Sequence, residues 1–186
     1  MNIEIISASP RAESVTNRVA LHLERLLKNR TQHHVGIIDV RDWNVQCLQE
    51  EVYSSVESAP EEFKTLAKRM LTADAFIIVS PEYNGSYTAA VKNLFDHFPK
   101  QRHKPFGIVT ASPGGLGGIR AALQLQLLIL ALFGIPSPYM LVTPAVEKKF
   151  DEQGNLTDES FKKAVDLFID EYLWLAESLS PQPVFN

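Results

Sequence analysis

The 186-residue sequence contains one cysteine, Cys47. A lone thiol cannot close an intrachain disulfide, so a disulfide scaffold is excluded and a reducing cytoplasm is the expected compartment. It also excludes a phosphatase whose nucleophilic cysteine follows the first strand, because Cys47 lies elsewhere with no arginine at the required spacing. No group of cysteines and histidines has zinc-ligand spacing. Cationic excess is missing too: 18 Lys and Arg stand against 22 Asp and Glu, for a formal charge of -4. With a pI near 5.7, this argues against a nucleic-acid binder. Long apolar runs are absent. The longest, Leu125 to Gly134, includes a glutamine and falls short of the roughly 20 residues needed to cross a bilayer. Met1 to Ile6 has neither the cationic start nor the small-residue cleavage site of a secretion signal, and reads as a strand. No Ser–His–Asp set or pair of carboxylates suggests a catalytic residue, and the five histidines, including the adjacent His33 and His34, read as surface residues.

What is present is a globular composition, 45% hydrophobic and 22% charged, at a length that suits a single domain over residues 1–186. Apolar β-rich runs recur at Ile3 to Ala8, Val35 to Val40, Ala75 to Ser80, Phe106 to Ala111 and Tyr139 to Thr143. Most are continuously apolar rather than alternating, as strands covered on both faces should be, and helix-like segments separate them. The pattern predicts an α/β fold: a doubly wound, five-stranded parallel sheet with helices on both faces. Val19, Leu23, Leu26 and Leu27 recur at helical spacing. Further helices are expected over Glu61 to Thr72, Tyr87 to Phe98 and Ile119 to Phe133, and a last one capped by Thr157. Asn44 to Ala59 reads as a long surface loop and Pro181-Gln182-Pro183 as an extended tail. The helix ending at Phe133 is apolar nearly all round. Leu123, Leu127, Leu128, Leu130, Leu132 and Phe133 therefore suggest either tight burial or a second subunit.

Three strand ends carry chemistry. After the first strand, the run from Ser9 through Arg11, Ser14, Val15 and Thr16 to Asn17 is dense in hydroxyls and holds one arginine just before a helix. Hydroxyl donors, free N–H groups at the helix start and a guanidinium together suit a phosphate. Taken alone, the same residues also fit an ordinary N-cap and a solvated surface charge. In an open parallel sheet, however, ligands bind beyond the carboxyl ends of strands, at the switch point, which in the order 2-1-3-4-5 lies beside strands one and three. Strand three runs into Pro81-Glu82-Tyr83-Asn84-Gly85-Ser86, whose aromatic and amide groups can face a planar ligand or simply form a turn with Tyr83 as a lid. Strand four ends at Ser112, followed by Gly114, Gly115, Gly117 and Gly118, which lets backbone approach a ligand closely or makes a hinge.

Together the three loops resemble the NADPH-dependent FMN reductase family, a flavodoxin-like group that includes quinone, azo and chromate reductases. The resemblance runs over nearly the whole chain. It is most specific at Pro81 to Ser86 followed by Ala90-Val91-Lys92-Asn93-Leu94-Phe95-Asp96, and Phe150 to Asp158 is similar to the family's pre-terminal loop. Ser9, Arg11 and Ser14 match the family's first loop, whereas Ala8 stands where the family has glycine. The resemblance implies FMN as cofactor, with Ser9, Arg11, Ser14 and Thr16 on its phosphate. Pro81, Glu82, Tyr83, Asn84 and Gly85 would line the isoalloxazine, and Ser112, Gly114 and Gly115 would face its pyrimidine side. It further implies NADPH or NADH as donor, a small-molecule electron acceptor, and a homodimer or homotetramer. Hydride chemistry then belongs to the flavin, consistent with the missing acid–base dyad. A flavodoxin-type electron carrier or a flavin-binding sensor is the competing expectation.

Overall fold

The computed structural model describes residues 1–48 and 52–180; the tail expected to be extended at Pro181-Gln182-Pro183 lies outside them. Strands β1 (Asn2–Ser7), β2 (His34–Asp39), β3 (Ala75–Ser80), β4 (Pro105–Ala111), β5 (Ile135–Pro136) and β6 (Leu141–Thr143) form one parallel sheet in the order β2-β1-β3-β4-β5, with β6 also on β4. Helices α1 (Val15–Arg30), α2 (Lys64–Thr72), α3 (Ala89–Asp96), α4 (Ile119–Ala131) and α5 (Lys162–Leu179) cover its two faces.

The two-residue period of each strand splits the core in two. Ile6, Phe76, Ile78, Phe106 and Ile108 point toward α2, α3 and α4, while Ile3, Ile5, Ile77 and Val109 point toward α1 and α5. Each fully buried side chain of this kind contributes about 1.5–3 kcal/mol relative to exposure. Glu4 interrupts the apolar run of β1, and a buried carboxylate requires a partner. Arg69 of α2 supplies it, with Nε 2.9 Å from Oε1 and a second contact from Nη2.

The fifth strand expected over Tyr139 to Thr143 is instead two short pieces. Prolines 136 and 138 lack the N–H a ladder needs, so pairing stops after Phe106↔Pro136 and resumes, shifted by two residues, at Val109↔Leu141. Ser137 bridges the gap by donating its N–H to Phe106 O at 2.7 Å. Thr157 does not cap the last helix. The Asp158 carboxylate accepts the Ser160 N–H at 3.0 Å and opens a 3-10 turn that leads into α5. The stretch 44–59 is not wholly a surface loop: Ala59 is buried, and Tyr53 packs against Phe63, His97 and Phe98. Nor are all histidines on the surface. His97 is buried, with Nδ1 2.8 Å from Asn93 O, and His22 lies against Phe150 with Nδ1 3.1 Å from Gly154 O.

Candidate functional site

The carboxyl ends of β1, β3 and β4 lie side by side, so the loops that follow them meet at the switch point of the sheet. They enclose a cleft of about 230 Å³. Ser9, Arg11, Ser14, Val15 and Thr16 line one wall, Pro81, Glu82 and Tyr83 another, and Ser112 with its neighbours Ala111 and Pro113 a third. The structure therefore brings together nine of the fourteen residues expected from sequence. Asn17, Asn84, Gly85, Gly114 and Gly115 do not line the cleft.

Each of those five has another role or place. Asn17 Oδ1 accepts the Ser7 hydroxyl at 2.9 Å, locking the start of α1 onto the end of β1. Asn84 and Gly85 have φ of 51° and 79°, the paired positive angles of a type I′ turn, which few residues but Asn-Gly adopt without strain. Reciprocal bonds between Tyr83 and Ser86, at 2.8 and 3.1 Å, close that turn and aim Tyr83 into the cleft. Gly114 and Gly115 are exposed: a Cβ on Gly115 would meet nothing within 4 Å, and one on Gly114 would lie an unstrained 3.8 Å from the Ser112 hydroxyl. The crowded glycines of this loop are Gly117 and Gly118. A Cβ on Gly117 would lie 2.6 Å from Val142, and one on Gly118 2.9 Å from Thr110, so these positions admit close packing of the loop rather than of a ligand.

The first loop is built to present donors. Ser14 caps α1, its Oγ accepting the Asn17 N–H at 3.2 Å, so the ordinary capping role of this serine is real. The first turn of α1 carries no acidic residue, which leaves the positive end of the helix uncompensated. Ser9 and Thr16 are both 2% exposed, and their hydroxyls have no protein partner among the described residues. Arg11 makes no ion pair among them; its guanidinium lies over the Tyr83 ring, 5.1 Å from the centroid. The Tyr83 hydroxyl is buried with no hydrogen-bond partner among the described residues. Ala8, where glycine was the family pattern, is buried at ordinary φ. Its N–H donates to Val79 O at 3.0 Å, and its carbonyl accepts from the Thr88 hydroxyl at 2.6 Å.

Glu82 has a task that its position in the sequence does not reveal. Gly118 precedes α4 in the left-handed region and has no side chain to cap the helix. The Glu82 carboxylate takes that place, accepting the N–H groups of Arg120 at 3.1 Å and Ala121 at 3.3 Å, with the Arg120 guanidinium at 3.4 Å. It thereby ties the second loop to the helix that follows the third. Two other carboxylates, Glu13 and Glu147, stand exposed at the cleft, and neither was singled out from sequence. Glu147 arrives there because Val146 N–H bonds Ser112 O at 3.1 Å, a contact across 34 positions that no local pattern announces.

Lys92 and Asp96, next to the cleft in sequence, form an exposed i,i+4 pair on α3 and take no part in it. Among the described residues no cluster of His, Cys, Asp or Glu could hold a metal ion, and no helix is long and apolar enough to cross a membrane.

Fold and cleft together define a flavodoxin-like protein whose switch-point loops offer donors for an anion beside an aromatic wall. Residues 1–146 match the family model described as NADPH-dependent FMN reductase, and the chain belongs to that family. It is an oxidoreductase with FMN as cofactor and NADPH as donor. The chain is 28% identical over 159 residues to an FMN-dependent NADPH-azoreductase of Staphylococcus saprophyticus, covering 81% of this chain and 84% of that one. Its Staphylococcus aureus counterpart is 27% identical over 172 residues, covering 90% of each. Among solved structures, the flavoenzyme NAD(P)H:acceptor oxidoreductase FerB of Paracoccus denitrificans superposes with a TM-score of 0.77 at 22% identity, over 95% of this chain and 97% of that one. A flavodoxin of Pseudomonas aeruginosa shares the fold at a TM-score of 0.54 and 19% identity, over 96% and 97%.

Proposed function

We propose that this chain takes a hydride from NADPH or NADH onto FMN held in the cleft, and delivers the electrons to a small oxidised acceptor: a quinone, an azo compound, free flavin or chromate. One observation carries the reading. The cleft at the switch point sets the Ser9 and Thr16 hydroxyls and the Arg11 guanidinium, which have no hydrogen-bond or ion-pair partner among the described residues, beside the Tyr83 ring, as a phosphate joined to a flat ring system requires. Bound FMN supplies the hydride and electron transfer. The protein's share is to bind and orient. The Ser9 and Thr16 hydroxyls, the Arg11 guanidinium and the N–H groups at the start of α1, which Ser14 caps, hold the phosphate. Pro81 and Tyr83 line the ring system, and Ser112 meets its pyrimidine side. Glu82 acts indirectly, by fixing the loop that carries Tyr83 to α4. No side-chain acid or base is required, which fits a cleft without a histidine.

The azoreductase names of the staphylococcal relatives support azo compounds within the acceptor group. The electron-carrier alternative lacks support, because the family match is to reductases that use a nicotinamide. A panel of quinone, azo dye, chromate and free FMN, run with NADPH and with NADH, tests the proposal. Turnover of at least one acceptor is expected, and none with either nicotinamide would remove it.

A cytoplasmic homodimer, each copy folded as one domain, completes the reading; a homotetramer would contain the same pairing. At about 230 Å³ the cleft is below the roughly 300–1,000 Å³ usual for small-molecule sites, which suits a cavity finished by a second copy. Leu123, Leu127, Leu130 and Phe133 are each at least half exposed on one side of α4 and its end, and they provide the apolar surface for that copy.

A further inference from the structure

Arg41, just after β2, was not among the residues singled out from sequence, yet it is fastened more firmly than any other cation near the cleft. Asp39, the last residue of β2 and largely buried, grips it through three bonds. Oδ1 accepts the Arg41 backbone N–H at 3.0 Å and Nε at 2.9 Å, while Oδ2 accepts Nη2 at 2.5 Å. The remaining arm, Nη1, donates to the Ala12 carbonyl at 2.8 Å, reaching across 29 positions into the middle of the first loop. The short 3-10 turn at 40–42 does not need that last contact, since the Asp39 carboxylate already caps it through the Arg41 N–H.

The contact has a directional consequence. A peptide unit is planar and trans, so its C=O and N–H point opposite ways. With the Ala12 oxygen held toward Arg41, the N–H of the same unit, that of Glu13, points away from Arg41. Ala12 and Arg41 line a hollow that adjoins the cleft; Glu13 and Ser14 line both, whereas Ala12 and Arg41 do not reach the cleft. A loop with no such tether could turn this peptide over and present a carbonyl oxygen where an anion needs a donor. Because Asp39 balances its charge, Arg41 adds little net field, and its effect is one of orientation.

We propose that Arg41, clamped on Asp39, is a positioning residue for the phosphate of the bound flavin, acting through the Ala12–Glu13 peptide. This rests on the reading of the cleft as an FMN site. FMN and riboflavin differ by the phosphate alone, so the ratio of their dissociation constants isolates the phosphate's share. Binding of both is measured for the full chain, Arg41→Met, Arg41→Lys, Asp39→Asn and Arg11→Ala. Arg41→Met should lower the preference for FMN by about tenfold, the order expected for one charge-assisted hydrogen bond, with riboflavin affinity unchanged. Asp39→Asn should move the ratio the same way. Arg41→Lys, which keeps a donor for Ala12 but loses the fork on Asp39, should fall between and guards against a misfolded Met variant. Equal weakening of both flavins, or an unmoved ratio in the Met and Lys variants, overturns the role. If Arg11→Ala collapses the preference while the Arg41 variants keep it, Arg41 alone is excluded. If the unaltered protein does not prefer FMN to riboflavin, the FMN reading falls and the proposal falls with it.

Discussion

Arg11 has no carboxylate to neutralise it among the described residues and rests on the face of Tyr83, so removing its side chain breaks no ion pair in the fold. Its worth lies with the ligand. Arg11→Ala should weaken FMN by roughly tenfold to a hundredfold, the loss of about 1.5–3 kcal/mol expected of hydrogen bonds to a charged group. The thermal midpoint of the flavin-free protein should hardly move. Flavin titration of the two proteins checks this, and equal affinity would refute the phosphate assignment. Tyr172 is the opposite case. Its ring is fully buried against Phe168, its hydroxyl has no partner among the described residues, and burial pushes the phenol above its ordinary pKa. An unsatisfied hydroxyl costs about 1–3 kcal/mol, so Tyr172→Phe should stabilise the protein, read as a rise of a few degrees in thermal midpoint. A fall would show that the hydroxyl has a partner. Single residues divide sharply in how far they can be read from sequence. Ser9, Arg11 and Tyr83 were visible because donors and an aromatic cluster locally at strand ends. Glu82 as a helix cap, Arg41 as a tether and Glu147 at the cleft depend on contacts between distant segments, for which a sequence has no period.

The elements themselves were largely legible, since apolar strands and amphipathic helices leave periodic traces. The departures sit where backbone chemistry overrides hydrophobic pattern: prolines 136 and 138 break the last strand, and the Asp158 carboxylate outcompetes the Thr157 hydroxyl as a cap. The bridge Phe150↔Leu156 closes a hairpin that docks on α1 through Arg18, which donates to Phe150 O, and through His22 at Gly154 O. Burial holds the His22 pKa below its ordinary 6.5. As the pH falls, the unfolded chain therefore takes up the proton first. Stability from the neutral ring is complete above about 6.5 and is lost as the pH drops through the lower, folded value. Denaturant midpoints between about pH 7.5 and 5.5 should fall further for the unaltered protein than for His22→Gln, which cannot titrate. Parallel curves would place the pH dependence elsewhere.

For the molecule as a whole, the fold class followed from repeated strand and helix segments, whereas the sheet order came with the resemblance to a flavodoxin-like family, because a doubly wound pattern is compatible with more than one order. The apolar character of α4 was also visible, but only the structure divides it. Leu128 and Leu132 are buried in the core, whereas Leu123, Leu127, Leu130 and Phe133 remain exposed. That division sharpens the proposed dimer into a test. Leu127→Glu with Leu130→Glu should convert a dimer to monomers in light scattering and weaken flavin binding, while far-ultraviolet dichroism stays unchanged. An unaltered protein that is already monomeric would remove the dimer.

The central claim, that FMN held by these three loops is reduced by a nicotinamide, is tested most directly by mixing the FMN-loaded protein with NADPH in an anaerobic stopped-flow instrument. The account predicts bleaching of the yellow oxidised-flavin absorbance at a rate compatible with catalytic turnover, on the order of 1–10³ per second, and recovery of the colour when a quinone is added. A flavin that stays yellow with both NADPH and NADH would contradict it.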